Sequence, residues 1–289
     1  MKEISRLLIA CNGSECSDAM LQDLRRAGLP ATAEAVVATI AYVFVPPDSE
    51  VNETISGPAA AMVRPSQLRA TKAVESALAL AEQAAARIRD DFPGWSVRSE
   101  ADGGTPAWEL VQMANRLDVD LIVIGSHDHS TAGGRLILGS VSQRVLYDAP
   151  CPVRVARRVE RRSDGPIRIV IGFNGSADAE PALNAVTLRS WPPGTEARSI
   201  SVGQAPSRSI GVAEERLRAA GLIASVVSHA GDPATVLVQE AESWGADSIF
   251  VGTRNVHGFQ HLLHGSVSAA VAGRAHCSVE VVRAKKGDG

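Results

Sequence analysis

Several features are missing from this 289-residue sequence, and each absence removes a class of protein. No apolar run approaches the ~18 residues that a membrane-spanning helix needs, and the opening Met-Lys-Glu-Ile-Ser does not resemble a signal peptide. A net charge of −3 and a pI of about 6.2 give no electrostatic attraction for nucleic acid or for an anionic membrane. We therefore expect a cytoplasmic protein that has neither nucleic acid nor membrane as a partner.

Cysteine is scarce: the sequence has four, and their spacing shows no disulfide framework. Cys11, Cys151 and Cys277 lie in or beside apolar strand patterns, where cysteine usually behaves as a small buried hydrophobe. A reducing compartment is the simplest interpretation. A reactive pair formed by Cys11 and Cys16 is the less favoured alternative.

Motifs of catalysis are also absent. The sequence has no GxSxG elbow, no Gly-x4-Gly-Lys-Ser/Thr loop, no paired carboxylates and no nucleophile beside a base. Two histidine groups, at 127–129 and 257–264, lack the further ligands of a zinc site, and we interpret them as polar loop residues. We therefore expect no catalytic residue, no metal ligand and no enzyme of high turnover.

What the sequence does contain is an internal repeat. Asp-Leu-Ile-Val-Ile-Gly-Ser at 120–126 returns as Asp-Ser-Ile-Phe-Val-Gly-Thr at 247–253, and Gly-Ser-Val-Ser at 139–142 returns at 265–268. Self-similarity at nearly constant spacing indicates two copies of one structural unit. We predict domains at 1–156 and 167–285, joined by a charged, solvated linker, with the second domain shortened in its middle.

Strand and helix patterns alternate in both copies, which predicts an α/β fold with two doubly wound, five-stranded parallel sheets. In the first copy we expect a loop at 46–65, strands at 7–11, 35–45, 95–101, 121–124 and 153–156, and helices at 14–27, 66–90, 106–117 and 139–147. In the second we expect strands at 168–173, 196–202, 222–229, 248–252 and 279–283, and helices at 177–190, 209–220, 234–244 and 266–274.

Glycines and small polar residues follow the strands where open parallel sheets bind ligands. Asn12-Gly13-Ser14 follows the first strand, Gly125 ends the fourth, and Gly139-Ser140 opens the next helix. The first N–H groups of a helix have no partner within the helix and attract an anion. We therefore expect a phosphate-bearing ligand, and simple helix capping by these residues is the alternative.

Both halves resemble the universal stress protein family. Its ATP-binding members carry Gly-x2-Gly-x9-Gly-Ser/Thr after the fourth strand, an Asp after the first, and a backbone contact to adenine after the second. The second half has Gly252-x2-Asn255-x9-Gly265-Ser266, and the first half has Gly125-x2-Asp128-x10-Gly139-Ser140. The resemblance implies the adenine nucleotide alpha hydrolase-like fold. It also implies nucleotide-binding residues at Asn12, Gly13, Ser14, Val43, Gly125, Asp128, Gly139, Ser140, Asn174, Gly175, Ser176, Val202, Gly252, Asn255, Gly265 and Ser266.

The departures from the family motif affect the expected ligand. Asn255 is neutral and tolerates left-handed backbone, whereas Asp128 brings a carboxylate toward the expected phosphates. Two like charges ~4 Å apart repel by about 4 kcal/mol at an effective dielectric of 20, unless Mg²⁺ or Arg135 neutralises them. We expect ATP or AMP to bind weakly or in one half only, with Mg²⁺ as a candidate companion ion.

Three functions stay open: a nucleotide-binding stress-response protein, which we favour, a nucleotide-free interaction protein, and a slow ATP hydrolase. The resemblance also implies that strands 153–156 and 279–283 pair antiparallel, which makes the chain an intrachain pseudo-dimer. A further homodimer remains an open alternative.

Overall fold

The computed structural model describes residues 4–12, 14–43, 58–125, 138–157, 165–203, 207–253 and 267–283. We call residues 4–157 half one and residues 165–283 half two. Half one contains β1 (Arg6–Ala10), α1 (Ser14–Arg25), β2 (Glu34–Tyr42), α2 (Pro58–Asp91), β3 (Ser96–Gly104), α3 (Pro106–Arg116), β4 (Leu121–Gly125), α4 (Ser140–Asp148) and β5 (Val153–Ala156). Half two contains β6 (Arg168–Gly172), α5 (Glu180–Thr187), β7 (Glu196–Val202), α6 (Ser207–Ala219), β8 (Ile223–His229), α7 (Pro233–Trp244), β9 (Ser248–Gly252), α8 (Val267–Arg274) and β10 (Ser278–Val282).

The strands form one ten-stranded sheet in the order β3-β2-β1-β4-β5-β10-β9-β6-β7-β8. Within each half all neighbours run parallel, as the alternation of strands and helices requires. The two halves meet where β5 pairs antiparallel with β10, with Glu280 opposite Arg154. The predicted α/β class and the antiparallel pairing of the final strands are confirmed, and that pairing joins the two predicted five-stranded parallel sheets into one continuous sheet.

Two helices differ from their predicted bounds by three residues or more. The segment 58–65 was expected to be loop, but α2 begins at Pro58, a residue whose fixed φ and missing N–H suit a first helical turn, and three alanines follow it. Helix α5 was expected from residue 177, but it begins at Glu180 because residues 177–179 form a turn.

The hydrophobic core differs on the two faces of the sheet. On one face a single cluster crosses from half one to half two, and Val155, Ala149, Val279 and Ala275 are among its members. On the other face each half has its own cluster, one containing Leu24 of α1 and the other Leu183 of α5. The shared core joins the halves by apolar burial, which contributes roughly 25 cal/mol per Å² of apolar surface removed from water.

The aspartate that opens each repeated strand pattern has a structural role. Oδ2 of Asp120 accepts hydrogen bonds from the N–H groups of Ser5 and Arg6, each at 3.0 Å. Oδ2 of Asp247 accepts one from the N–H of Arg168 at 2.7 Å. These bonds fasten the amino ends of β1 and β6 to the chain entering β4 and β9, so this part of the repeat preserves the sheet.

Two arginines at equivalent repeat positions cross between the halves. The guanidinium of Arg157 donates to the carbonyl oxygens of Ala272, in the last turn of α8, and Cys277. That of Arg283 donates to the carbonyl oxygen of Ala149 at 2.8 Å, just beyond α4. Cations are favourable at helix C termini, so each half stabilises the other's last helix. Arg157, assigned to the solvated linker, is in fact buried at 3% exposure because it fills this contact.

The buried cysteines carry a prediction. Cys11, Cys151 and Cys277 are free and buried, and burial raises the pKa of the Cys277 thiol to about 12. Burial keeps the reagent away from all three thiols, and Cys277 also lacks the reactive thiolate, so they should stay unlabelled by iodoacetamide at pH 8 and react only after denaturation. Mass spectrometry of a Cys16→Ala variant with and without urea checks this. Labelling of Cys277 in the native protein would contradict it.

Candidate functional site

In each half the strand order reverses between two neighbouring strands, β1 and β4 in half one and β6 and β9 in half two. Their carboxyl ends lie side by side, with Ala10 in register with Ile124 and Gly172 with Val251. The connections leave such a pair of strands on opposite faces of the sheet, which opens a crevice between them. The described residues of the predicted site lie at this edge or beside it.

Half one places several predicted residues at the edge. Asn12 follows β1 and is exposed, Val43 follows β2 and is half-buried, and Gly125 ends β4. Ser14 begins α1, although its side chain lies outside the described part. The carbonyl oxygen of Gly125 accepts a hydrogen bond from Oγ of Ser142, on α4, at 3.3 Å. This bond holds the first turn of α4 beside the end of β4.

Gly139 immediately precedes α4, and no described residue fills the space beside it. Its φ of −61° and ψ of 155° suit any residue, so its backbone does not require glycine. A Cβ atom on Gly139 would meet no atom of the described residues within 4 Å. Ser140, the first helical residue, is exposed. Among the described residues no side chain caps this helix, so its first N–H groups can receive a small anion.

The corresponding turn of half two uses its polar atoms internally. Oδ1 of Asn174 accepts the N–H of Ser176 at 3.1 Å, and Oγ of Ser176 accepts the N–H of Ala179 at 3.3 Å. Gly175 between them has a φ of +80°, a conformation that favours glycine. Such Asx-type turns are common where a strand gives way to a helix. Capping of the turn accounts for these three residues without a ligand.

The glycine that ends β9 also has a packing role. A Cβ atom on Gly252 would lie 1.8 Å from the carbonyl oxygen of Asp178 and 3.0 Å from Cα of Ala179. Only a residue without a side chain lets that backbone approach so closely. Val202, predicted to contact adenine, ends β7 and is half-buried. The described edge of half two is therefore closed at Gly252 by its own turn.

Part of the predicted site cannot be placed. Gly13, Asp128, Asn255, Gly265 and Ser266 lie outside the described residues, and so do the histidines at 127–129 and 257–264. Within the described ranges no group of three or more His, Cys, Asp or Glu side chains is arranged to hold a metal ion.

Two exposed aromatic side chains lie at the carboxyl edge of half one and were not predicted. Tyr42 ends β2 and is 82% exposed, and Trp108 is in the first turn of α3 and is 58% exposed. The strand register places Gln204 at the position of half two that matches Tyr42, outside the described residues, and the repeat places Thr235 at the position that matches Trp108. Exposed large aromatics provide stacking surface, so the two edges differ in what they offer a planar ligand. A tyrosine at the very end of an apolar strand was the available signal.

The same edge of half one also carries acidic groups. Oε1 of Glu109 lies 2.5 Å from the place that a Cβ atom on Gly104, at the end of β3, would take. Burial, and then the carboxylate of Asp102, raises the pKa of Glu109. Oδ1 of Asp102 accepts the N–H of Gly103 at 2.8 Å. Negative charge near the end of β3 opposes an anionic ligand at this edge.

The sequence and the fold of this chain are similar to those of known proteins. The universal stress protein Rv2005c of Mycobacterium tuberculosis is 28% identical over 231 residues, which cover 73% of this chain and 75% of that protein. The universal stress protein MJ0531 of Methanocaldococcus jannaschii is 34% identical over 82 residues, 28% of this chain and 48% of that protein. The match thus spans about half the length of the archaeal relative.

A solved structure and a family profile agree with these relatives. The crystal structure of a universal stress protein from Archaeoglobus fulgidus superposes with a TM-score of 0.66 at 20% identity, covering 96% of this chain and 98% of that one. The profile of the Universal stress protein family matches residues 3–157 and 168–283. The chain therefore belongs to the universal stress protein family, whose members act in stress responses, and it carries two copies of the family's domain. In the described part, no helix is long and apolar enough to cross a bilayer.

Proposed function

We propose that this stress-response protein binds an adenine nucleotide, ATP or AMP, at low affinity and in half one. The observation that carries the proposal is the start of α4, where Gly139 has an ordinary backbone and no described neighbour to require a glycine. A phosphate placed there meets the unpaired N–H groups of the first helical turn and the positive end of the helix dipole.

The exposed aromatics support the same half. Tyr42 and Trp108 provide flat apolar surface at the edge where the family resemblance puts the adenine, beside Val43. Half two has a glutamine and a threonine in its sequence at the matching positions, and its Gly252 is explained by close packing on Asp178. We therefore propose one site for each chain.

Low affinity follows from charge. The motif of half one has Asp128 where the family has glycine, and the edge also carries Glu109 and Asp102. Carboxylates near phosphates repel them, and Mg²⁺ bound with the nucleotide would reduce that repulsion. We propose no catalytic step, because no described residue at the edge pairs a nucleophile with a base. We further propose that the domains at 1–156 and 167–285 work as one cytoplasmic pseudo-dimer.

Replacing Gly139 by Val tests the site. The new side chain enters space that is free among the described residues, so the melting temperature should change by no more than about 4 °C. It should exclude a phosphate from the helix start and lower the affinity for ATP by at least about tenfold, a cost of roughly 1.4 kcal/mol. Equilibrium dialysis with labelled ATP and Mg²⁺ measures both the affinity and the number of sites.

Gly165→Val is the matched control. Gly165 also has no described atom within 4 Å of its missing Cβ, and it precedes β6 at the opposite edge of the sheet. The control should bind ATP like the parent chain. Equal binding by both variants would refute the site, two equivalent sites would refute its restriction to half one, and no binding to the parent at millimolar ATP would refute the proposed function.

A nucleotide-free interaction module is the second candidate. The same exposed Tyr42 and Trp108 favour it, because aromatic side chains are enriched where proteins bind one another. A parent chain whose melting temperature does not respond to ATP or AMP would support this candidate over the first.

A further inference from the structure

We call the boundary at which β5 pairs with β10 the seam between the halves. It contains one position at which the repeat does not preserve charge. Strand β5 contains Val153-Arg154-Val155, and the matching segment of β10 is Val279-Glu280-Val281. Across the seam Val153 faces Val281 and Val155 faces Val279. Valine thus meets valine on both sides of a central pair in which arginine meets glutamate.

That central position is special because of the pseudo-twofold symmetry. Arg154 and Glu280 occupy the same place in their own halves, 126 residues apart, and they also face each other. If two copies of half one paired in this way, Arg154 would face a second Arg154. Two copies of half two would bring Glu280 against Glu280. Such self-facing positions are the ones at which a symmetric interface is most sensitive to charge.

The pair belongs to a buried row of alternating charges. Arg154 donates to both carboxylate oxygens of Asp23, each at 2.7 Å, and to Oε2 of Glu280 at 3.3 Å. Arg189 donates to the other oxygen of Glu280. Arg154 and Glu280 are 0% and 1% exposed. The guanidinium groups of Arg154 and Arg189 lie over the ring of Phe250. Little water is available to screen a charge that meets a like charge here.

Other contacts across the seam also have no equivalent at the position that the repeat relates to them. Arg26 of half one binds both carboxylate oxygens of Asp247, at 2.9 and 3.0 Å, while the repeat puts Leu188 at the position equivalent to Arg26. The ring of Trp191 lies 2.6 Å from the place that a Cβ atom on Gly28 would take. These contacts form only when half one meets half two.

We propose that the Arg154–Glu280 pair makes the seam selective for unlike halves, so that β5 and β10 accept each other and reject a second copy of themselves. The partner that this surface fits is the opposite half of this chain or, by exchange, of another copy. Burial of the apolar strand faces stabilises any such pairing, and the buried charges favour the pairing of unlike halves over the pairing of like halves. A homodimer formed by β5–β5 or β10–β10 pairing is excluded by the same charges.

Charge reversal in the full chain tests this selectivity. Arg154→Glu and Glu280→Arg each leave two like charges facing across the seam, and each should lower the melting temperature by roughly 10 °C. Differently tagged Arg154→Glu and Glu280→Arg chains, expressed together, can satisfy both seams by exchanging halves. We expect tandem affinity capture and native mass spectrometry to show a 1:1 complex of the two chains, and no dimer of either variant with itself.

The matched control is the pair Arg198→Glu and Glu240→Arg. Arg198 and Glu240 form an ion pair 3.2 Å long inside half two, so exchanging halves cannot restore it, and no mixed complex should be captured. Capture of the control pair to the same extent would overturn the proposal. So would a dimer of one seam variant with itself, or the lack of a mixed complex from two folded seam variants.

A second measurement decides the case in which a buried reversal prevents folding. The double variant Arg154→Glu/Glu280→Arg restores opposite charges within one chain, although each reversed charge then lies beside Asp23 or Arg189 of its own half. Recovery is therefore partial. A melting temperature of the double variant above those of both single variants supports selectivity by charge. A melting temperature at or below that of either single variant overturns it.

Discussion

Arg154→Met should destabilise the protein by about 3–5 kcal/mol, because the truncation leaves buried carboxylates without their cation. Asp23 loses two hydrogen bonds of 2.7 Å, and Glu280 keeps only Arg189. Burial by itself would lower the pKa of Arg154, but the carboxylates of Asp23 and Glu280 outweigh it and raise that pKa, so the arginine is charged at any working pH. Urea unfolding followed by circular dichroism measures the loss, provided that one transition describes both halves.

A double variant and an exposed control show whether the unpaired charge is the cause. Asp23→Leu added to Arg154→Met removes the carboxylate that lost its partner and should recover part of the stability. Arg144→Met breaks an exposed pair with Asp148, at 68% and 39% side-chain exposure, and should cost at most about 1 kcal/mol. A cost for Arg154→Met no larger than that of Arg144→Met would contradict the expectation.

Gly252→Ala is expected to cost about 3 kcal/mol, because the added methyl group collides with backbone. The Cβ atom would lie 1.8 Å from the carbonyl oxygen and 2.9 Å from the carbonyl carbon of Asp178. No rotamer change relieves this contact, so the turn before α5 has to move away from β9. The midpoint of urea unfolding measures the change.

Gly211→Ala is the control for the loss of glycine itself. Gly211 lies within α6, and a Cβ atom there meets no described atom within 4 Å. Alanine in a helix is more favourable than glycine by about 0.5–1 kcal/mol, so this variant should be slightly more stable than the parent. If Gly252→Ala unfolds at the same urea concentration as Gly211→Ala, the close approach of Asp178 has no energetic consequence.

The fold could be predicted from the sequence because its signals are local and repeated. Short strand patterns, either apolar or alternating in polarity, predict the strands, and β7, β9 and β5 have the predicted bounds. The start of α2 cannot be predicted in this way, because proline and glycine near residue 58 are typical of loops, although proline is also favourable in a first helical turn. The late start of α5 follows from hydrogen bonds within the turn at 174–179, which compete with helix formation.

The places of the motif glycines in the fold could be predicted from the sequence, but the packing around them could not. That Gly139 and Gly252 end up near strand ends follows from the order of the elements. The described residues leave space beside Gly139, whereas Asp178 fills the space beside Gly252. This difference depends on the path of a neighbouring turn. Tyr42 and Trp108 lie at one edge of the sheet because β2 and α3 pack there. The two residues are far apart in the sequence, so no local pattern predicts that they share this edge.

The sequence alone determined the class of the protein: a duplicated α/β unit of the universal stress protein family, with parallel sheets and paired final strands. The duplicated unit and its parallel strands follow from hydrophobic periodicity and from the repeat, whereas the family and the pairing of the final strands follow from the resemblance. Only the tertiary structure decided that Asp23, Arg154, Glu280 and Arg189 form one buried row of charges. The physical reason is that water must be excluded from these groups. Exclusion of water sets both the free energy lost in desolvating the charges and the free energy gained from their ion pairs, and it arises only when four distant segments pack together.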